Sequence, residues 1–353
     1  FRVNFDAEKH GAASAEAVQS LERLAEWTAR IDADPDALSK LRGIQEWAYE
    51  SPADGSGQPF KINIPTDYDS GSPTPLSLYA HGYSGNHLEH ATSWTEKTGT
   101  FEIGVLGRAR GGFYHSLSEA DVLDVLRYVR AHWNIDENRI RINGGSMGGM
   151  ASYWLSARHP DIWASARPNC GFALESPLGN LIYTPVYAIH SRDDNVVSIM
   201  TDIGAMERLR EMGGAVTYEK IDGFKHASWD YADGNARAGA WEREQVRIPS
   251  REIRNIDFTA LDAAAARGWW AEVAKWGPEA RPAHLILAAR PDNSLYATLD
   301  NVEILRIDVT SSPFDAAKPL RVSVGGGVAF SIPAPLPATI LIGRDGDSWK
   351  SLA

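Results

Sequence analysis

The amino-acid sequence predicts an α/β protein: a mostly parallel sheet flanked by helices, with an N-terminal helical segment and a small, sandwich-like all-β module at the C-terminus. Three observations predict it. Residues 12 to 50 place apolar residues at three- and four-residue spacing. Residues 58 to 245 alternate strand-like and helix-like stretches. From about residue 250, short strand-like runs follow one another between Gly, Pro, Asn and Asp. The expected division is 1–50, 51–248 and 249–353, which suits a 353-residue chain.

In the first region, "AEAVQSLERLAEWTARI" puts Val18, Leu21, Leu24, Ala25 and Trp27 on one helical face. "DPDALSKLRGIQEWAYE" predicts a second helix after Pro35, ended by the breaker run "SPADGSGQP". These helices are expected to act as a cap or brace. In the middle region, "PFKINIP", "PLSLYAHG", "FEIGVLGRARG", "NRIRINGGS", "TPVYAIHSRDDNV" and "AVTYEKIDGF" read as strands. Between them, "SEADVLDVLRYVRAHW", "GGMASYWLSARHP" and "DIGAMERLREMG" read as helices, the first with Ser118 and Asp121 spaced as a capping box. "EIRNIDFTA", "AHLILAAR", "SLYATLD", "VEILRIDV", "LRVSVGGGVAFSIP" and "ATILIGRD" are the strands of the last region.

Composition bounds the function. A hydrophobic fraction of 43% and a charged fraction of 23% support a sizeable soluble core. The net charge of -11 comes without any Lys/Arg run, which argues against nucleic acid and against steady association with anionic membranes. No stretch is long and apolar enough to span a bilayer. The single cysteine, Cys170, excludes an intrachain disulfide and is expected to pack beside a strand end. Twelve tryptophans read first as core filling and second as an aryl or carbohydrate surface. The chain starts at Phe1 without Met, so a processed product and a secreted or periplasmic location are expected. The oligomeric state is left open.

Gly144-Gly145-Ser146-Met147-Gly148 fits G-x-S-x-G between a predicted strand and a predicted helix, the setting of a nucleophile elbow. Ser146 is the candidate nucleophile. A serine hydroxyl needs a base, and in this architecture an acid and then a histidine follow in the chain. His159, His190, His226 and His284 follow Ser146. Only His226, in "IDGFKHASWDY", combines a preceding strand with a polar loop. "YAIHSRDDNVV" offers Asp193 and Asp194 as the acid. Asp193 is preferred, although spacing leaves both open, and the other could cap the next helix. The oxyanion donors expected are the N–H of Met147 and, from the loop "HGYSG", that of Tyr83, with Gly82 second.

The stretches "PLSLYAHGYSGN", "RARGGFYHSLSEADVLDVLRYV", "NIDENRIRINGGSMGGMASYWLSARHPDIWASARPNCG", "YAIHSRDDNVV" and "GFKHASWDY" resemble an α/β-hydrolase. The resemblance covers roughly residues 57 to 235. It lies near the branch of feruloyl and acetyl xylan esterases, polyhydroxyalkanoate depolymerases and the catalytic domain of prolyl oligopeptidases. It implies the α/β-hydrolase fold, with Ser146 as nucleophile, Asp193 as acid and His226 as base. It also brings the loop of residues 107 to 117 to the mouth of the site. Tyr114 and His115, with Gly82 and Trp229, are therefore candidates for substrate contact, and Arg108 and Arg110 could hold a carboxylate or pair with nearby acids. Trp229 is also expected to pack beside the base. The loop "HSRDDNVV" is closer to the peptidase form, but only about 50 residues precede the hydrolase stretch, too few for a propeller.

The reading is a serine hydrolase that cleaves carboxylic esters through an acyl-enzyme, with no cofactor and no metal. His87 and His90 flank Glu89 without an evident third ligand. Small-molecule esters or esters linked to polysaccharide are the expected substrates, feruloyl or acetyl plant-polysaccharide esters by analogy alone. The alternatives are a prolyl oligopeptidase-like peptidase and a binding protein on a catalytically dead hydrolase scaffold.

Overall fold

The computed structural model describes residues 25–26, 29–30, 32–34, 37, 40–89, 95–173, 176–327, 329–346 and 348–352. The chain divides into two compact units, Phe1–Asp136 and Glu137–Ala353. The helix expected to carry Val18, Leu21, Leu24 and Trp27 has these residues outside the described ones, as is His90.

In the first unit, the second expected helix is corrected over residues 43–50, which form strand β1 (Gly43–Glu50). Trp47 and Tyr49 point inward while Glu46 and Glu50 are exposed, a period of two. The run is short enough to suit either period, and its pairing decides. It aligns antiparallel with β2 (Gly57–Ile64), from Gly43 opposite Ile64 to Glu50 opposite Gly57. The predicted breaker is thus a hairpin turn, in which Gly55 takes φ +70 and donates its N–H to the Ser51 carbonyl at 2.9 Å. β3 (Thr74–Ala80) and β4 (Phe101–Val105) complete the order β1-β2-β4-β3, with β3 and β4 parallel.

Helix α1 (Leu117–His132) buries Val122, Val125, Leu126 and Val129 at helical spacing. Its expected capping box does not form. The N-cap is Ser116, at φ 53, with no side-chain cap. Asp121 instead accepts the Tyr49 hydroxyl at 2.5 Å and the Arg108 N–H at 3.2 Å.

The second unit opens with the parallel order β5 (Ile135–Gly145), β6 (Ser165–Asn169), β7 (Val186–Ser191) and β8 (Val216–Ile221). Helices α2 (Met147–Arg158), α3 (Met200–Glu211) and α4 (Ala232–Glu244) connect or follow these strands. All six residues of β7 are buried, as expected for a strand covered on both faces. β6, "SARPN", was not assigned from the sequence, and its proline is the reason. Pro168 has no N–H for a ladder and falls between the β6–β7 partner pairs at Ala166 and Asn169.

Residues beyond 250 form two five-stranded sheets. One has the order β16 (Phe330–Ile332), β15 (Leu320–Val324), β13 (Ser294–Asp300), β12 (Ala283–Arg290) and β9 (Asn255–Ala260). The other has the order β10 (Arg267–Gly268), β11 (Ala271–Trp276), β14 (Val302–Asp308), β17 (Thr339–Asp345) and β18 (Ser348–Leu352). Both sheets feed one apolar cluster that includes Phe258, Trp269, Trp270, Leu287, Leu305 and Ile342. Trp47, Trp133 and Trp163 are also buried, so much of the tryptophan content fills cores.

The end of α2 is fastened to this cluster's outer strand. Asn180 Nδ2 donates to the carbonyls of Ala157 at 2.7 Å and Thr259 at 3.0 Å, and its Oδ1 accepts the Thr259 N–H at 2.8 Å. Arg158, almost fully buried, donates to both oxygens of Asp262 at 2.8 and 3.0 Å. These bonds from Arg158 hold the Asp262 carboxyl below its usual range. Asp262 is half exposed, so solvent screens part of the pair. Asp262→Ala is expected to cost about 1–2 kcal/mol, because it removes the bidentate acceptor of a buried guanidinium. A depressed carboxyl stabilises above its unfolded pKa of about 3.9 and loses that contribution as pH falls through the folded value. Denaturant melts of wild type and variant should therefore differ at neutral pH and converge near pH ~2. An equal gap at both pH values would refute the ion-pair account.

Candidate active site

Ser146 sits between β5 and α2 with φ 56 and ψ -119, a left-handed backbone that a non-glycine residue adopts only under local constraint. The constraint is visible. The Ser146 N–H donates to the Asn169 carbonyl at 2.9 Å, and the Met150 N–H donates to the Ser146 carbonyl at 3.0 Å. The neighbouring glycines allow this close approach. A Cβ on Gly149 would stand 2.6 Å from the Asn169 carbonyl oxygen, and one on Gly145 would stand 3.1 Å from the Trp229 ring.

The Ser146 hydroxyl lies 2.8 Å from His226 Nε2. His226 follows β8 in a turn that needs φ +85 at Gly223 and φ +47 at Lys225. Its Nδ1 lies 2.8 Å from Asp194 Oδ2 and 3.1 Å from Asp194 Oδ1. A carboxylate on Nδ1 holds the hydrogen there and leaves Nε2 bare toward the serine. Asp194 is itself fixed: Oδ1 accepts the N–H groups of Val196 and Val197, each at 2.8 Å, and its side chain is fully buried.

The preference for Asp193 is therefore corrected. Asp193 is exposed and turns away from the imidazole. Its Oδ1 accepts the Ser191 hydroxyl at 2.5 Å, the Gly223 N–H at 3.0 Å and the Lys225 N–H at 3.3 Å. The Ser191 bond is the main cause that holds its carboxyl below the usual range. Asp193 thus ties the end of β7 to the turn that presents His226. The idea that the second aspartate caps the next helix also fails: α3 begins at Met200, after Ile199, with no side-chain cap.

Met147 is the first residue of α2, so its N–H is among those without an intrahelical acceptor. The other expected site residues belong to the first unit. Tyr83 follows β3 and is exposed, its ring 5.9 Å from that of Phe113. The Gly82 N–H is engaged by Glu89 Oε2 at 2.7 Å, which withdraws Gly82 as an oxyanion donor. Tyr114 is buried, with its hydroxyl 3.4 Å from the His81 carbonyl, so it is a core residue and not a substrate contact. His115 is half-buried in the turn before α1. Arg108 pairs with Asp54 at 2.8 Å, and Arg110 Nε donates to the Ser84 carbonyl at 2.7 Å, so both fasten loops. His87 faces Glu46 at 3.2 Å.

Trp229 packs edge-on against His226, ring centroids 5.5 Å apart, and is 37% exposed. Asn169 is a site residue that the sequence reading passed over. Its carbonyl holds the Ser146 N–H, and its side-chain oxygen accepts the Ser228 hydroxyl two residues past His226. It therefore braces the serine turn and the histidine turn together. Its signal was faint: a polar residue beside Cys170 at a strand end. Cys170 is buried, and burial pushes its thiol up to about 11. Cys170, Asp194 and His226 have potential ligand atoms within 4.8 Å of one another, but two of the three already bond each other in the arrangement above.

Residues 117–175 match the prolyl oligopeptidase family. The bifunctional acetylxylan esterase/xylanase XynS20E of Neocallimastix patriciarum is 24% identical over 164 residues, which cover 44% of this chain and 24% of that protein. The chain thus matches about a quarter of the length of that curated relative. Among solved structures, a thermostable esterase aligns with a TM-score of 0.52 and 23% identity over 58% of this chain and 63% of the other. FphF, a fluorophosphonate-binding serine hydrolase of Staphylococcus aureus, aligns with a TM-score of 0.47 and 17% identity over 57% of this chain and 99% of the other. Among the described residues, no helix is long and apolar enough to cross a membrane. The relatives include esterases, and this chain has an α/β fold like that of the thermostable esterase.

Proposed function

We propose that this chain is a serine hydrolase that cleaves carboxylic esters through an acyl-enzyme. The observation that carries the reading is the continuous line from Ser146 Oγ to His226 Nε2, 2.8 Å, and from His226 Nδ1 to Asp194, 2.8 Å. Ser146 Oγ attacks the ester carbonyl carbon while His226 Nε2 takes its proton. The carbonyl oxygen becomes an oxyanion, for which the Met147 N–H at the start of α2 is the proposed donor. Asp194 stabilises the imidazolium. As the tetrahedral intermediate collapses, the ester C–O bond breaks and His226 protonates the leaving alcohol. Water, deprotonated by the same nitrogen, then attacks the acyl-serine and releases the acid and Ser146.

Small-molecule esters, or esters on polysaccharide, are the proposed substrates. The Neocallimastix relative, an acetylxylan esterase/xylanase, supports acetyl esters of xylan as the first class to try. An exported location fits such substrates. The two sheets around one apolar cluster support an accessory sandwich over the proposed module 249–353, behind a catalytic region 51–248 and an N-terminal segment 1–50. The family match over residues 117–175 favours one second reading, a prolyl oligopeptidase-like peptidase.

The test is hydrolysis of a short-chain aryl ester beside a prolyl-peptide anilide, together with fluorophosphonate labelling. Ester turnover with label on Ser146 is expected. Turnover of the anilide alone would transfer the chain to the peptidases. Failure of the reagent to label Ser146 would remove the hydrolase reading and leave a binding protein.

A further inference from the structure

The proposed mechanism leaves one histidine beside the triad unused. His190, on β7, has a fully buried side chain. Its Nε2 lies 3.0 Å from the Val197 carbonyl oxygen and 3.2 Å from Asp194 Oδ2. Its Nδ1 lies 3.2 Å from Oδ2 of Asp202, a buried acid in the first turn of α3. Asp194 Oδ2 therefore stands between two imidazoles, His226 at 2.8 Å and His190 at 3.2 Å.

The contacts restrict the protons. A carbonyl oxygen only accepts, so Nε2 of His190 carries a hydrogen. A carboxyl against Nδ1 leaves two placements for one further proton: on Nδ1, with Asp202 ionised, or on Asp202, with the ring neutral. The surroundings favour the ring. Asp194 puts a second negative charge against Nε2. The phenols of Tyr153, from α2, and Tyr218, from β8, also lie within reach of the Asp202 charge. Burial first, and then the Asp202 charge, push both phenols up, so they remain hydroxyls. Burial pulls His190 down, but Asp202, the Val197 carbonyl and Asp194 outweigh it and leave the ring above its usual range.

We propose that His190 is a positioning residue, an imidazolium that links Asp194 to Asp202 and holds the Asp194 carboxylate on His226. This rests on the triad reading above. The linkage has two effects. It ties the acid of the site to α3, so Asp194 cannot turn away from Nδ1. It also places a cation next to the carboxylate that stabilises protonated His226, which lets His226 release its proton at lower pH. Removing the cation, with Asp202 left unbalanced beyond it, should make His226 hold its proton more tightly.

The experiment is imidazole nitrogen NMR on the full-length chain from pH ~6 to ~9, with His190 assigned by the signal lost in His190→Gln. Both ring nitrogens of His190 should be protonated at neutral pH. A bare nitrogen there would overturn the proposal. In parallel, His190→Gln should lower kcat about tenfold with little change in KM. It should also raise the acidic limb of kcat/KM by about half a pH unit or more. A fall in kcat with an unmoved limb would mean a packing role only and would also overturn it. Should His190→Gln not fold, Asp202→Asn replaces it and should lower the pH at which the His190 nitrogens titrate; an unchanged titration would count against the linkage. Ser146→Ala separates the two readings: retained ester turnover would sink the triad, whereas the protonation of His190 is read without any turnover.

Discussion

Ser146→Ala and His226→Ala should each lower kcat for an aryl ester by roughly a million-fold, and the double variant should lose little more. Non-additivity is the informative part. In the proposed mechanism the hydroxyl is a nucleophile only while Nε2, 2.8 Å away, takes its proton, so removing either partner removes the same step. Either variant should keep a residue of activity over water, roughly a thousand-fold, from donors to the oxyanion and from binding. Steady-state assays on single and double variants, with fluorophosphonate labelling as a check on Ser146, decide it. Losses that multiply in the double variant would mean that the two side chains act in separate steps.

Asp194→Asn should lower kcat roughly ten-thousand-fold, while Asp193→Asn should change it less than about tenfold. An amide at position 194 can present an N–H to Nδ1 and so favour the tautomer with its hydrogen on Nε2, pointing at Ser146, where a base is required. The same change at 193 keeps an acceptor for the Ser191 hydroxyl and for the Gly223 and Lys225 N–H groups. Its expected effect is a lower melting temperature through a looser His226 turn. Equal losses of turnover in the two variants would contradict the assignment of the acid to Asp194.

Most elements of the parallel region, though not β6 or α4, were legible because each signal is local. A glycine-flanked serine between an apolar strand and an amphipathic helix can be read within a dozen residues, and so could His226 on its polar loop. What depended on a distant partner was not legible. Residues 43–50 fit a helix until β2 pairs with them. Pro168 concealed β6, which holds its place through its neighbours.

The sequence by itself determined the strand–turn–helix around Ser146, the histidine that follows in the right kind of loop, and a pair of acids beside each other. Only the tertiary structure decided which acid faces His226. Adjacent side chains leave the chain in different directions: Asp194 turns into a buried pocket between His226 and His190, and Asp193 turns out to bind the backbone of the His226 turn. It also decided that Tyr114 is core and that Glu89 occupies the Gly82 N–H. Composition and spacing report what a residue can do. Which of those bonds forms depends on the direction of a side chain and on the groups that meet it from other strands and loops, and those are set when the chain packs.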